Sequence, residues 1–454
     1  MLRPTTVLAT GLTRRPTPAG PSAGVGQYKH KRTALDVGMA LLTPLLGQEF
    51  LDRYRLRDPL NRSLRYGVKT GFSVAANTNR QLKRLRGGRD GASRSAASGT
   101  GYFDLTPDDD QRRIIEVAER FAEDVLRSAA DDADDAANYP PDLIGRAAEL
   151  GLTGHRSSVT TALLAEALAY GDMGSALAVL APAGVASALT RWGSAGQQAA
   201  YLPRFTGVDV PQACVAIAEP YPLFDPTALK STAERTPGGY RLSGVKSLVP
   251  GPEQAELLIV AAQLNGKPAL FVVELAARGV SVKSDPSMGI RAAALGQVQL
   301  SNVSLPLAAR LGEQNATDAD YSEAVALARL GWAALAVGTS HAVLDHVVPY
   351  VKEVVADGEP IAHRQSVAFM CANIAIELDG LRLMTWRGTA RADQGLPFAR
   401  EAALAKRLGA ERAMQIGSDG VQLLGRHGCT GKHPVERWYR DLRAFGVAEG
   451  VVVL

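Results

Sequence analysis

The hydrophobic period of this 454-residue chain changes twice, and the order of the changes limits what it can fold into. From Thr106 onward apolar residues return every three or four positions, with Ile114, Ala118, Phe121 and Val125 as the first set. That spacing is a helical stripe. Thr106 reads as the N-cap, with Pro107 at the first helical position and Asp108 to Asp110 in the first turn. Helical patterns run to about Gly207. Beyond 208 the runs shorten and turn β-rich: "YRLSGVKSLV", which follows Gly238-Gly239, then "ELLIVAAQ", "ALFVVEL" and "GQVQLSNVSL". From about 318 to 424 long Ala- and Leu-rich helices return. The order is helices, a β-domain, then a helical bundle, with no internal repeat.

Composition agrees. The chain is 46% hydrophobic but only 6% aromatic, so Ala and aliphatic residues must fill the core. Abundant Ala and Leu also favour helix. The length suits roughly two to four folding units. Cys214, Cys371 and Cys429 lie far apart, which argues against a disulfide framework or a Cys-type metal site and suits a reducing compartment. No metal is expected.

The charge is uneven. Residues 1–100 hold 18 Lys+Arg against 5 Asp+Glu, and the remainder 32 against 41. Such a block expects an anionic partner. No aromatic-interleaved or helix-turn-helix pattern accompanies it, so nucleic acid is set aside. Residues 28–90, read as basic helices to about 88, are expected to dock on an anionic membrane surface or a bound partner. Residues 1–27 are expected to be flexible, and "GGRDGASRSAASGTG" at 87–101 reads as a linker. The first 25 residues are Arg-containing, hydroxyl-rich and acid-free, a composition shared by transit peptides and disordered bacterial leaders. No span is read as reaching the roughly 20 apolar residues of a membrane helix. The nearest, "ALDVGMALLTPLLGQEFL", is broken by Asp36, Pro44 and Glu49. The expected location is cytoplasmic, peripheral at the membrane if the basic block docks, with a mitochondrial location left open.

Eight segments then carry a family resemblance. "FDLTPDDDQRRIIEVAERFAEDVL", "DLIGRAAELGLTG" and "LLAEALAYGD" look like successive opening helices. "CVAIAEP", "GGYRLSGVKSLV" and "MGIRAAALGQVQLSNVSLP" follow in the β-region, and "QLLGRHG" and "RWYRDLRAFGVAEG" near the C-terminus. In this order, over residues 100–454, the chain resembles the acyl-CoA dehydrogenase family. Residues 1–100 lie outside the resemblance.

The resemblance implies a mainly α fold with a central β-domain. Its parts would be a basic extension and linker (1–100), an N-terminal helical domain (101–207), a middle β-barrel-like domain (208–317) and a C-terminal four-helix bundle (318–454). It implies FAD-dependent α,β-desaturation of an acyl-CoA thioester in fatty-acid metabolism. Electrons would pass to an electron-transfer flavoprotein, and the protein would work as a homo- or hetero-oligomer. Glu449, eight residues after Asp441, falls where the family carries its base. The α-proton of a thioester is weakly acidic, so its removal needs a positioned carboxylate and stabilisation of the developing enolate. The family provides that stabilisation from the base's own backbone N–H and a flavin ribose hydroxyl. Burial beside an acyl chain is expected to raise the Glu449 pKa. Arg329, in "ALARLGWAALAVG", falls where the family holds an arginine near the CoA portion of the substrate. Ile217, Ala218, Val249, Pro250, Gln365, Gln422 and Gly425 fall at flavin-contact positions, as does Gly428. Arg437, Arg440 and Asp441 are expected to form a structural ion-pair network.

The departures gather at the flavin site. The family's "TEPxxGSD" is "AEPYPLFD" here, so Ala218 replaces a hydroxyl and Tyr221-Pro222-Leu223-Phe224 replaces a Gly-containing turn. Leu248-Val249-Pro250 stands for Trp-Ile-Thr, Val354 for a phosphate-binding Arg, and Asp357 for a Phe. Losing a cation and gaining an anion is unfavourable for a pyrophosphate; Arg426 or His427 would restore charge. A loop is shortened around 155–159, and only Val451 to Leu454 follow the "EG". These losses motivate a second expectation: a catalytically impaired or non-flavin partner subunit of a heteromeric enzyme.

Overall fold

The computed structural model describes residues 106–454 apart from His155. The expectations for the basic block, leader, linker and membrane docking lie outside the described residues.

The first helix, α1 (Asp109–Phe121), starts two residues later than its sequence suggests. Asp108 rather than Thr106 is the N-cap: its carboxylate accepts from Gln111 N at 2.8 Å, and the Gln111 side chain accepts from Asp108 N at 3.0 Å. A reciprocal pair satisfies two orphan N–H groups where Thr106 would satisfy one. The helix passes through a π turn (Ala122–Arg127) into α2 (Ser128–Ala136). Then come α3 (Leu143–Glu149), α4 (Ser158–Gly171), α5 (Met173–Trp192) and α6 (Ala195–Tyr201). Ala118 and Phe121 of the first stripe are buried, and Ile114 and Val125 pack against the core.

The middle region is one curled seven-stranded sheet: β1 (Ala213–Ala216), β2 (Thr232–Thr236), β3 (Gly239–Pro250), β4 (Leu257–Leu264), β5 (Lys267–Glu274), β6 (Val280–Ser284) and β7 (Leu295–Pro306). The spatial order is β1-β4-β2-β3-β7-β6, with β5 also on β4. The four runs foreseen from sequence are β3, β4, β5 and β7. The short β1, β2 and β6 carry too few residues for a period to show. β3 pairs antiparallel with β7 and is bulged twice, once between Lys246 and Val249. A bulge bends a strand and re-aims its side chains; here it falls at the positions that matter below.

The C-terminal helices are α7 (Asp318–Glu353), α8 (Gln365–Asp393), α9 (Ala399–Leu424) and α10 (Val435–Ala444). α7, α8 and α9 pack on one another, α10 packs on α9, and α4 lies along α7. A small hairpin, β8 (Val355–Ala356) with β9 (Glu359–Pro360), joins α7 to α8. The fold is therefore a helical domain, a curled sheet and a helical domain, as expected. One expectation needs correcting: α5 and α7 are each long and apolar enough to cross a bilayer. Their apolar windows are 94% and 83% buried within the protein, so both serve as core helices.

Candidate active site

The turn after α10 is where buried charged side chains gather. Residues 445–454 leave the helix and thread between α5, α7 and β1. Val451 N donates to Val215 O at 2.9 Å, and the Trp332 indole donates to Gly450 O at 2.9 Å. A Cβ on Gly184 would lie 2.3 Å from Val451 O, and one on Gly331 would lie 2.3 Å from Val452 O. Only glycine lets the two helices close on this strand of backbone. Val451 to Leu454 are all buried, each worth roughly 1.5–3 kcal/mol of apolar transfer. The turn is thus fixed on both sides.

Glu449 sits in that turn, 7% exposed. Arg329 holds it: Nε lies 3.1 Å from each carboxylate oxygen, and a terminal guanidinium nitrogen lies 2.9 Å from Oε1. Arg329 and Trp332 are three residues apart on α7, so one helix face grips both Glu449 and the carbonyl that follows it. Further along the same face, the Tyr321 hydroxyl donates to Pro226 O at 2.6 Å, tying down the end of the 219–226 loop. Burial raises the Tyr321 phenol, and the Glu449 and Glu219 charges raise it further. On the other side stands Lys406 of α9. Its ammonium donates to Phe445 O at 2.7 Å and to Ala448 O, and it lies 4.7 Å from the Phe445 ring centroid. Burial pushes this lysine down to about 8 against the pull of Glu449, with Arg329 adding to the depression.

A second buried pair shapes the sheet side. Lys246 is wholly buried, and its ammonium donates to Glu219 Oε1 at 2.8 Å and to Ile217 O at 3.2 Å. Glu219 also accepts from Lys230 N and Ser231 N. Burial pushes Lys246 down to about 8, opposed by Glu219. The pair locks the segment after β1, and Ser247 N donates to Ala218 O at 3.0 Å. Ile217–Ala218 and Val249–Pro250, both flavin-contact positions by resemblance, therefore lie on neighbouring, buried backbone. The 219–226 loop beyond them turns outward. Leu223 adopts φ 57 and is fully exposed, and Tyr221 packs its ring under the Lys230 ammonium at 3.8 Å.

Gln365 begins α8, Gln422 ends α9 and Gly425 follows with φ 56. All three are exposed, and among the described residues neither glutamine side chain makes a hydrogen bond. Among the described residues no hydrogen bond or ion pair joins them to Glu449. Asp357 is paired with Arg364, so the anion gained there has a cation beside it that the sequence reading missed. His427 is engaged by the Tyr350 hydroxyl at 3.0 Å and stacks on His433.

At the root of the turn lies an ion network. Arg440 reaches Asp134 at 2.7 and 3.0 Å and Glu436 at 2.8 and 3.0 Å, and Arg437 lies between Asp131 and Asp172. Asp441 accepts from Ile290 N at 2.6 Å. Burial, then the nearby Asp172 charge, pushes Asp441 up to about 7.

Sequence reasoning singled out Glu449 and Arg329, which the structure brings together, and did not single out Lys406, Trp332, Tyr321 or Lys246. A signal for Lys406 existed: it lies on the α9 face of Ala402, Ala405 and Gly409, all buried. A lysine on an otherwise small, apolar stripe needs partners for its charge.

Comparison with known proteins is consistent across all three regions. Residues 108–209 match the acyl-CoA dehydrogenase N-terminal domain, 214–303 the middle domain and 320–451 the C-terminal domain. The mitochondrial short-chain specific acyl-CoA dehydrogenase of Mus musculus is 30% identical over 268 residues, 58% of this chain and 65% of the mouse protein. The chain thus aligns with under two thirds of that relative's length. Acryloyl-CoA reductase (NADH) of Anaerotignum propionicum is 28% identical over 77% of this chain and 92% of its own. Butyryl-CoA dehydrogenase from Megasphaera elsdenii superposes with TM-score 0.71 at 25% identity, covering 77% of this chain and 97% of that one. A structure of PigA with FAD and proline superposes equally well, at 25% identity over 77% of this chain and 96% of PigA. With its three regions matched in order and its fold shared, the chain belongs to the acyl-CoA dehydrogenase family.

Proposed function

We propose that the chain oxidises an acyl-CoA thioester to its α,β-unsaturated product, with Glu449 as the base and FAD as the electron acceptor. The observation that carries the reading is Glu449 itself. A carboxylate is held in a buried turn, beside a cation, with its own backbone N–H bonded to nothing among the described residues.

The flavin positions fit the group in a backbone-dominated way. Ile217–Ala218 and Val249–Pro250 offer a locked backbone edge, and Gln365 and Gln422 offer amides with no other partner among the described residues. An added Cβ at Gly425 meets nothing within 4 Å, so backbone there is open to approach. What the resemblance finds missing is the hydroxyl at Ala218, a hydrogen bond worth about 0.5–1.5 kcal/mol net, together with the hydroxyl at Pro250 and the cation at Val354. PigA, a structural neighbour of the same fold, has been solved with FAD.

Arg329 and Glu449 form a matched pair that must part before a carboxylate oxygen faces the substrate. In this reading Arg329 turns to the CoA portion of the thioester, and Glu449 Oε takes the α-proton. The free Glu449 N–H donates to the thioester carbonyl oxygen, where charge develops. Trp332 keeps the following carbonyl out of the way by donating its indole N–H to it. Bound FAD would supply the two-electron acceptor for the hydride leaving the β-carbon. An electron-transfer flavoprotein is the proposed onward acceptor.

The test is the visible spectrum of the purified chain with FAD, before and after an acyl-CoA is added. Bleaching in the wild type and none in Glu449→Gln supports the reading. A colourless chain that ignores added FAD sinks it and turns the search to a flavin-bearing partner subunit.

A further inference from the structure

Lys406 has no place in the chemistry described so far, yet it is joined to the base more directly than any residue but Arg329. Its ammonium sits on two carbonyls, Phe445 O at 2.7 Å and Ala448 O. Both belong to the turn that carries Glu449. The first fixes where the turn leaves α10. The second belongs to the peptide unit whose N–H is that of Glu449, and this N–H meets no acceptor among the described residues. A cation on the oxygen of an amide draws electron density through the peptide and makes its N–H a better donor. A charge-assisted hydrogen bond does this more strongly than a neutral one. Nothing else satisfies the Ala448 carbonyl among the described residues. The side chain leaves a buried stretch of α9, beside Ala402, Ala405 and Gly409, and the Phe445 ring flanks its ammonium at 4.7 Å.

We propose that Lys406 is a positioning residue that clamps the Phe445–Glu449 turn and polarises the Ala448–Glu449 peptide, so that the Glu449 N–H binds a thioester oxygen more tightly as that oxygen gains charge. The polarising half of this role rests on the acyl-thioester reading above; the clamping half does not.

Two measurements separate them. The first is hydrogen exchange of the purified chain, read on the peptide covering residues 445–454. Lys406→Met, which keeps the length and apolar stem but removes the donor, is expected to speed exchange there by about tenfold or more while leaving α7 and β1 unchanged. Unchanged exchange overturns the clamp. Should the Met variant fail to fold, Lys406→Arg and Lys406→Gln carry the same comparison: Arg keeps the charge, Gln keeps a donor without it.

The second uses the FAD-loaded enzyme and methylthioacetyl-CoA, in which sulfur replaces the β-carbon so that no hydride can leave. Its thioester carbonyl stretch reports the hydrogen bond it receives. The wild type is expected to lower that frequency, Lys406→Arg to keep most of the shift, and Lys406→Gln to lose a clear part of it. With an oxidisable acyl-CoA the Gln variant should lose about tenfold in kcat with KM within about twofold, the pattern of an interaction made mainly in the transition state. A Gln variant with the wild-type carbonyl shift and wild-type kcat overturns the polarising role. A wild-type enzyme that leaves the carbonyl stretch unmoved sinks the acyl-thioester reading, and the polarising role with it, while the exchange result still decides the clamp.

Discussion

Two loops border the same neighbourhood and are built in opposite ways. The 445–451 turn is held by Arg329, Trp332 and Lys406 and gripped between Gly184 and Gly331. The 219–226 loop is fixed at its ends, by the Glu219–Lys246 pair and by Tyr321 on Pro226; between them Phe224 rests half-buried against the core while Tyr221 and Leu223 face solvent. The first keeps the family's pattern and the second departs from it. A residue that must be placed by packing from several elements leaves little room for substitution. A loop whose side chains point outward can change its composition while its anchors stay.

The largest effect should come from the held turn. Glu449→Gln preserves shape and removes the proposed base, so the rate of flavin reduction by acyl-CoA should fall by about 10²–10⁴-fold with FAD content unchanged. A variant that still bleaches at the wild-type rate in stopped-flow absorbance would show that the turn is built for something other than proton removal.

Gly331→Ala probes the packing rather than the charge. Its Cβ would need the space of Val452 O, 2.3 Å away. Overpacking of this kind costs about 1–3 kcal/mol. It should lower the melting temperature and slow flavin reduction together, because displacing Val452 displaces Glu449. Reduced stability with an intact reduction rate would break the link between the turn's packing and its chemistry.

The root of the turn gives a pH handle. Folded Asp441 titrates at about 7, above the roughly 3.9 of an unfolded aspartate. The folded state therefore binds the proton more tightly. The stability this contributes is full below about pH 4 and is lost as pH rises through 7. Asp441→Asn keeps an acceptor for Ile290 N and removes the charge. Its stability relative to wild type should therefore improve from pH 5 to pH 8, by on the order of 1–2 kcal/mol in denaturant melts, since Asp172 and two arginines share the site. A constant difference between the two pH values would mean that Asp441 is ionised throughout.

Much of this contrast was legible in the sequence. The helix–sheet–helix order showed because long elements repeat their period many times. Glu449 and Arg329 showed because their spacing to other segments matches a family. Lys406, Tyr321 and Lys246 did not, because each acts on backbone or on a partner far away in sequence. Lys406 reaches Phe445 and Lys246 reaches Glu219, 39 and 27 residues away, and no local pattern encodes such meetings. The first cap was misplaced by two residues because Thr106 and Asp108 are both good capping residues, and only the reciprocal bond with Gln111 separates them. Nor did the sequence of "YPLF" tell which side chains turn outward: Leu223 and Tyr221 do, while Phe224 rests half-buried against the core.

On the flavin side the effects should be smaller. Ala218→Ser adds a hydroxyl where the family carries one. One hydrogen bond of about 0.5–1.5 kcal/mol should tighten FAD by between about twofold and tenfold in a fluorescence titration. Weaker binding would place the loss elsewhere, at Val354 or Pro250.

The smallest effect is expected at Leu223, and it is the sharpest check on the outward loop. A leucine in the left-handed region carries strain of about 1 kcal/mol that glycine does not. Glycine in turn gives the unfolded chain more freedom, which offsets part of that gain. Fully exposed, Leu223 has no packing to lose. Leu223→Gly should therefore leave stability within about 0.5 kcal/mol of wild type, the range for surface positions. If the loop only borders the site, flavin reduction and acyl-CoA affinity should stay within about twofold. A tenfold loss of either, at unchanged stability, would mean that the leucine closes over a bound ligand. The loop would then join the Glu449 turn as working structure, although only Phe224 holds its middle to the core among the described residues.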